Sequence, residues 1–146
     1  MKFIFVVNTL GLTGGIKVIF IHANYLANQG HDVSIVHLLK LEDSLKGILV
    51  GRIKSLKYLL TGLRGKKEPG WFSLDPRIKI SHRYSLDKIG EFDALIATAN
   101  ETADWVANVP DHLGEKYYFV QDYESWTREQ TSVDATYTLP LKKIVI

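Results

Sequence analysis

The chain has 146 residues, of which 46% are hydrophobic and 23% charged, and its net charge is +2 with histidine neutral. That length suits one domain with one sizeable core, and the composition is that of a folded chain rather than a disordered one. So small a charge gives no argument for nucleic acid, and the lack of cysteine excludes disulfides, thiolate zinc sites and cysteine nucleophiles together.

The N-terminus opens on Phe3–Val7, an apolar run broken by Asn8 and Thr9. It is too short for a signal peptide and lacks a small-residue cleavage site. No stretch approaches the roughly 18 uninterrupted apolar residues of a membrane-spanning helix. Phe3–Val7 reads as the first strand. A helix is predicted over Ile16–Asn28, with Gly30 placed where a left-handed C-terminal residue is wanted. Further strands are predicted at Val33–Leu39, Ile78–Ser81, Ala94–Thr98, Tyr117–Val120 and Ile144–Ile146, and a second helix over Thr102–Asn108 stops before Pro110. Most of these runs are apolar without strict alternation, as in strands covered on both faces. Strands alternating with helices imply right-handed βαβ units. The expected fold is α/β, a Rossmann-like parallel sheet of about six strands with helices on both faces.

Between Lys46 and Lys67 lie seven basic residues and no acidic one. Leu45, Leu49, Ile53, Leu56, Leu60 and Leu63 recur at steps of three or four, the stripe of an amphipathic helix, with Lys46, Lys54, Lys57 and Arg64 flanking or opposing it. Such a helix either covers the sheet with a solvated basic side or meets an anionic membrane surface, and a rim helix can do both. Gly47, Gly51, Gly62 and Gly65 weaken it. Arg64–Trp71 reads as an exposed loop. The chain stops inside its last predicted strand with no helix to cover it, which predicts that residues 1–146 are one domain cut from a longer protein.

The turn after the first strand, Asn8-Thr9-Leu10-Gly11-Leu12-Thr13-Gly14-Gly15-Ile16-Lys17, is where an open parallel sheet binds ligands. Gly14 and Gly15 remove side chains where backbone amides leave a helix N-terminus, so an anion or a hydroxyl can approach closely, with Lys17 nearby. The same glycines also suit a tight turn with no ligand. Two phosphate motifs fail here. A Walker loop needs Gly-Lys-Ser/Thr, but Lys17 stands between Ile16 and Val18. The dinucleotide fingerprint needs Gly-x-Gly-x-x-Gly and an acidic residue closing the second strand, where this chain has Ile35-Val36-His37-Leu38. That argues against NAD and an NAD-linked epimerase, and no cofactor is expected.

Two more strand ends should face the same crevice. Thr98 with Glu101 matches a capping box and Asn100 can itself cap the helix, yet Asn100 and Glu101 also sit where polar groups can hold sugar hydroxyls. Gln121-Asp122-Tyr123-Glu124-Ser125-Trp126 sets an amide and carboxylates beside aromatic rings. That is either a sugar-holding segment or a solvated loop with Tyr123 and Trp126 packed down. Asp122 and Glu124 alternate on an extended segment and point apart, so a facing glycosidase pair is not expected. His31 reads as structural, and His22, His37, His82 and His112 are scattered without metal-ligand spacing on a common helix, so no metal is expected.

Thr13-Gly14-Gly15, an amphipathic helix and then Gly30-His31-Asp32-Val33 closely resemble the opening of glycosyltransferase family 4, retaining enzymes of GT-B architecture. The stretch Tyr118-Phe119-Val120-Gln121-Asp122-Tyr123-Glu124 is similar to the bacterial rhamnosyltransferase branch of that family, which builds cell-surface polysaccharides. The resemblance runs over nearly the whole chain. It implies the N-terminal, acceptor-side lobe of an enzyme that moves a sugar, rhamnose being one candidate, from a nucleotide-diphosphate donor to a glycan or lipid-linked acceptor. The donor-binding lobe with its usual pair of glutamates is not in this sequence, so the chain alone is expected to be inactive. The substrate-binding candidates are Gly14, Gly15, Lys17, Asn100, Glu101, Gln121, Asp122, Tyr123 and Glu124, and no catalytic residue is named. A cytoplasmic address is expected, peripheral to the inner face of a membrane that the basic segment meets. The alternative is a non-catalytic binding module of flavodoxin-like or response-regulator type. That would need an acidic cluster at the end of the first strand or a phosphate-binding Ser/Thr loop, and Asn8-Thr9 supplies no acidic cluster.

Overall fold

A computed structural model describes residues 1–39 and 69–146; the basic helix predicted within 46–67 lies outside the described residues. In chain order the elements are β1 (Lys2–Val7), α1 (Gly14–Asn28), β2 (Asp32–Leu38), β3 (Lys79–Arg83), β4 (Ala94–Ala97), α2 (Asn100–Ala107), a 3₁₀ turn (Asp111–Leu113), β5 (Glu115–Val120), α3 (Gln130–Tyr137) and β6 (Lys142–Val145). The six strands form one sheet in the order β3-β2-β1-β4-β5-β6, and every pairing is parallel. This is a Rossmann-like α/β fold, and each predicted strand has its counterpart.

The apolar runs are continuous because the sheet is covered on both faces. Ile4 and Val6 of β1 join Val36, Leu95 and Ala97 in one core, while Phe5 and Val7 join Ile35 and Ile96 in the other. Helix α1 lays Ile16, Ile19, Phe20 and Ala23 on the second face, together with Leu74 and Ile78. Helix α2 lays Ala103 and Val106 on the first, beside Leu86 and Ile89. Each fully buried Ile, Leu, Val or Phe side chain contributes about 1.5–3 kcal/mol, so the central strands hold the sheet.

Three local details differ from the sequence expectation. Helix α1 begins at Gly14 rather than Ile16, because Thr13 is its N-cap and Thr13 Oγ1 accepts a bond from Ile16 N at 3.2 Å. The capping box of Thr98 with Glu101 does not form. Thr98 Oγ1 instead donates to Val6 O at 2.8 Å, and Thr102 Oγ1 accepts from the backbone N–H groups of Thr98 and Ala99 at 3.0 and 3.1 Å. Ala99 is the cap residue and Asn100 lies in the first turn of α2. Helix α3 was not anticipated, since it buries only Val133 and Thr136 and carries no apolar stripe. Gly30 adopts φ 85°, as its place after α1 requires.

The sheet order reverses direction between β1 and β4. From β1 the chain runs out to β2 and β3; β4 then opens the other half, towards β5 and β6. The loops leaving β1 and β4 diverge to opposite faces, which opens a crevice at the carboxyl ends of these two strands.

Candidate binding cleft at the carboxyl edge of the sheet

A cleft of about 480 Å³ occupies that switch point. Asn8 and Thr9 at the end of β1 form its floor, with Thr13, Gly14 and Gly15 at the start of α1 on one side. Thr98 and Ala99 follow β4, and Gln121, Asp122, Glu124 and Trp126 follow β5 on the far side. Five of the nine residues expected from sequence to bind substrate therefore line one concavity: Gly14, Gly15, Gln121, Asp122 and Glu124.

The two glycines have no conformational reason to be glycine. Positive φ among the described residues belongs to Gly30, Gly90 and Gly114, not to Gly14 or Gly15. A Cβ on Gly14 would meet nothing within 4 Å, and one on Gly15 would meet only the Gln121 amide at 3.5 Å, an ordinary contact. Glycine is also the poorest helix former after proline. What their missing side chains do provide is open approach to the Gly14 and Gly15 amides at the start of a 15-residue helix, beside the cleft that both residues line; the next amide, Ile16 N, is taken by Thr13 Oγ1. Gln121 sits opposite them, its Nε2 donating a long bond of 3.5 Å to Thr98 O.

The far wall is held in place from behind. Glu124 Oε2 accepts from Asn100 N at 2.8 Å, putting a carboxylate at the N-terminus of α2, where the helix dipole favours it. Burial raises the Glu124 pKa above the usual carboxylate value and the neighbouring charges of Glu101 and Asp122 add to this, while the Asn100 amide and Arg128 oppose it. Asn100 is fully buried, and its Nδ2 donates to Thr127 Oγ1 at 2.7 Å. Arg128 bonds Asp104 Oδ2 at 2.8 Å and Asn100 O at 3.0 Å, tying the loop after β5 to α2. Asn100 is thus a staple beneath the site rather than a side chain facing a ligand.

The remaining expected residues lie elsewhere. Lys17 is exposed on α1 and does not line the cleft, although its neighbours Ile16 and Val18 do. Tyr123 turns outward, its ring stacked on Tyr137 at 6.0 Å and its hydroxyl donating to Asp134 Oδ1 at 2.5 Å. Glu101 faces a second, smaller pocket, with Asn8 Nδ2 donating to its Oε2. Trp126 is not packed down; it stands 70% exposed at the cleft rim. Asn8, which sequence reasoning passed over, is central to the site, and its position as the first polar residue after β1 was the available signal.

The described lining contains two carboxylates and no Lys or Arg. Such a surface suits hydroxyl donors better than a diphosphate, whose only favourable approach is to the amides of α1. Among the described residues no group of three or more His, Asp or Glu could hold a metal ion, and no helix is long and apolar enough to cross a membrane.

The chain matches no protein-family model, no curated protein and no solved structure. Fold and cleft together define a Rossmann-like α/β domain with a cleft at its switch point that carries two carboxylates and one exposed tryptophan.

Proposed function

We propose that this domain is the acceptor-side lobe of a retaining glycosyltransferase of GT-B type, one that moves a sugar from a nucleotide-diphosphate donor to a glycan. The observation that carries the reading is the pair Gly14 and Gly15, which neither backbone conformation nor packing requires and which leave helix amides open to a cleft. Opposite them, Asp122 and Glu124 can accept bonds from sugar hydroxyls, and the exposed Trp126 ring offers a flat apolar surface for the C–H face of a pyranose. The acceptor glycan fits the carboxylate side. The donor diphosphate fits only the amide side, where partial positive charge would stabilise its departure. Of the stretches that resemble the glycosyltransferase family, Thr13–Gly15 and Tyr118–Glu124 contribute residues to this one cleft, and Gly30–Val33 does not. Within it the domain's own work is to bind and orient the attacking hydroxyl.

The test is glycoside binding by the chain and by Gly15→Val, followed through tryptophan fluorescence beside a melting curve. A valine side chain reaches into the space in front of Gln121, and binding should weaken by roughly tenfold or more, about 1.4 kcal/mol, with little change in melting temperature. Unchanged binding would reduce the loop to a turn. Binding and stability lost together would mean the glycine serves the fold.

A further inference from the structure

The smaller pocket beside the cleft encloses about 260 Å³ and is separated from it by Asn8, which lines both. Its walls are Leu38 and Leu39 at the end of β2, Tyr84 after β3, and Thr102 and Trp105 on α2. Glu101 and Trp105 are four positions apart on α2 and share a helix face, so a carboxylate and an indole border the same space. Asn8 Nδ2 donates to Glu101 Oε2, which fixes an amide and a carboxylate as the sill between the two pockets. Trp105 is 46% exposed, so part of its ring faces the solvent-accessible space of this pocket.

We propose that this pocket is a second sugar subsite, so that the acceptor recognised is an oligosaccharide with one ring in each pocket. The inference rests on the carbohydrate reading of the cleft and goes on to name the length of its ligand. Three features favour a sugar ring. The volume falls below the usual range of about 300–1,000 Å³ for drug-sized ligands and suits a single small ring. Tyr84 and Trp105 offer aromatic surface to the C–H face of a pyranose, and the Asn8 side-chain amide offers a polar contact to hydroxyls at its edge. Because Asn8 lines both concavities, the two pockets adjoin at this residue.

The experiment uses the isotopically labelled full chain and follows the indole N–H signals of Trp71, Trp105 and Trp126 by nuclear magnetic resonance. The probes are methyl α-rhamnoside, methyl α-mannoside, the α-linked disaccharide of each, and an octyl monoglycoside. Disaccharides should move both Trp126 and Trp105 and bind about tenfold tighter than the monosaccharides. Trp105→Ala and Tyr84→Ala should each remove that advantage while the Trp126 signal keeps its place, showing the fold intact. Movement of Trp126 alone, or an undiminished disaccharide advantage in both variants, overturns the second subsite and leaves the cleft reading standing. A Trp105 response to the octyl chain and not to disaccharides overturns it in favour of a lipid tail. Silence of both signals towards every glycoside overturns the carbohydrate reading and this inference with it.

Discussion

His37 and His82 meet across the β2–β3 pairing with their Nδ1 atoms 3.0 Å apart. Burial first, and the neighbouring His82 ring second, hold the His37 pKa below the ordinary imidazole value of 6.5, partly opposed by a hydrogen bond to the Asn8 backbone. Partial burial lowers His82 as well. The folded state therefore binds fewer protons than the unfolded state just below that value, so stability is full above it and falls as pH drops through it. Urea denaturation between about pH 8 and pH 5 should show this loss, and His37→Gln should flatten it; parallel curves for the two proteins would exclude the pair as the cause. The pair could not be read from sequence, because the residues are 45 positions apart and only the strand register joins them. Gly114 was equally hidden. At φ 145° its Cβ would stand 2.0 Å from Phe92 O, a contact that no local pattern announces. Gly14 and Gly15 were legible for the opposite reason, since both the strand before them and the helix after them are local.

Helix α2 has eight residues, too short to persist by itself, and a residue within β5 and another in the loop after it fasten its two ends. Glu124 takes the amide of Asn100 at the start. At the other end Lys116, only 8% exposed, donates from Nζ to Ala107 O at 2.9 Å and Val109 O at 2.8 Å and pairs with Asp111 Oδ1 at 2.6 Å. Lys116→Met strands both carbonyls and should cost about 2–3 kcal/mol in urea denaturation at neutral pH. Glycoside binding by the remaining folded protein should persist, since this end of the helix lies away from the cleft; a loss below about 0.5 kcal/mol would show that water replaces the ammonium. Elements whose own residues pay for their burial in apolar area were plain in the sequence, as with β1, β2, β4 and α1. Helix α3 was not, because it is held by loop and neighbour rather than by a stripe. Asn100 shows the same limit at the site: a polar residue at a strand's carboxyl end looks like a ligand whether it faces outward or, as here, inward.

At the scale of the molecule, the parallel order gathers the ends of β1, β4 and β5 on one edge, and that edge holds both pockets. The strand alternation made this edge predictable. The division into two pockets was not, because it depends on one side-chain bridge between Asn8 and Glu101, which are 93 positions apart. If the proposed acceptor-lobe reading holds, the chain should bind glycosides yet form no product when incubated with nucleotide sugars and acceptors; robust turnover by the chain alone would contradict that reading. The same sheet order also has a cost in time. Strand β1 is made first and finds β2 soon after, but its other neighbour is β4, joined to it at Lys2–Asp93 across 91 positions. During synthesis one edge of Phe3–Val7 offers unpaired backbone donors and acceptors until nearly two thirds of the domain has left the ribosome. A strand that ends up at the centre of the sheet is thus one that the nascent chain must keep from other chains for most of its synthesis.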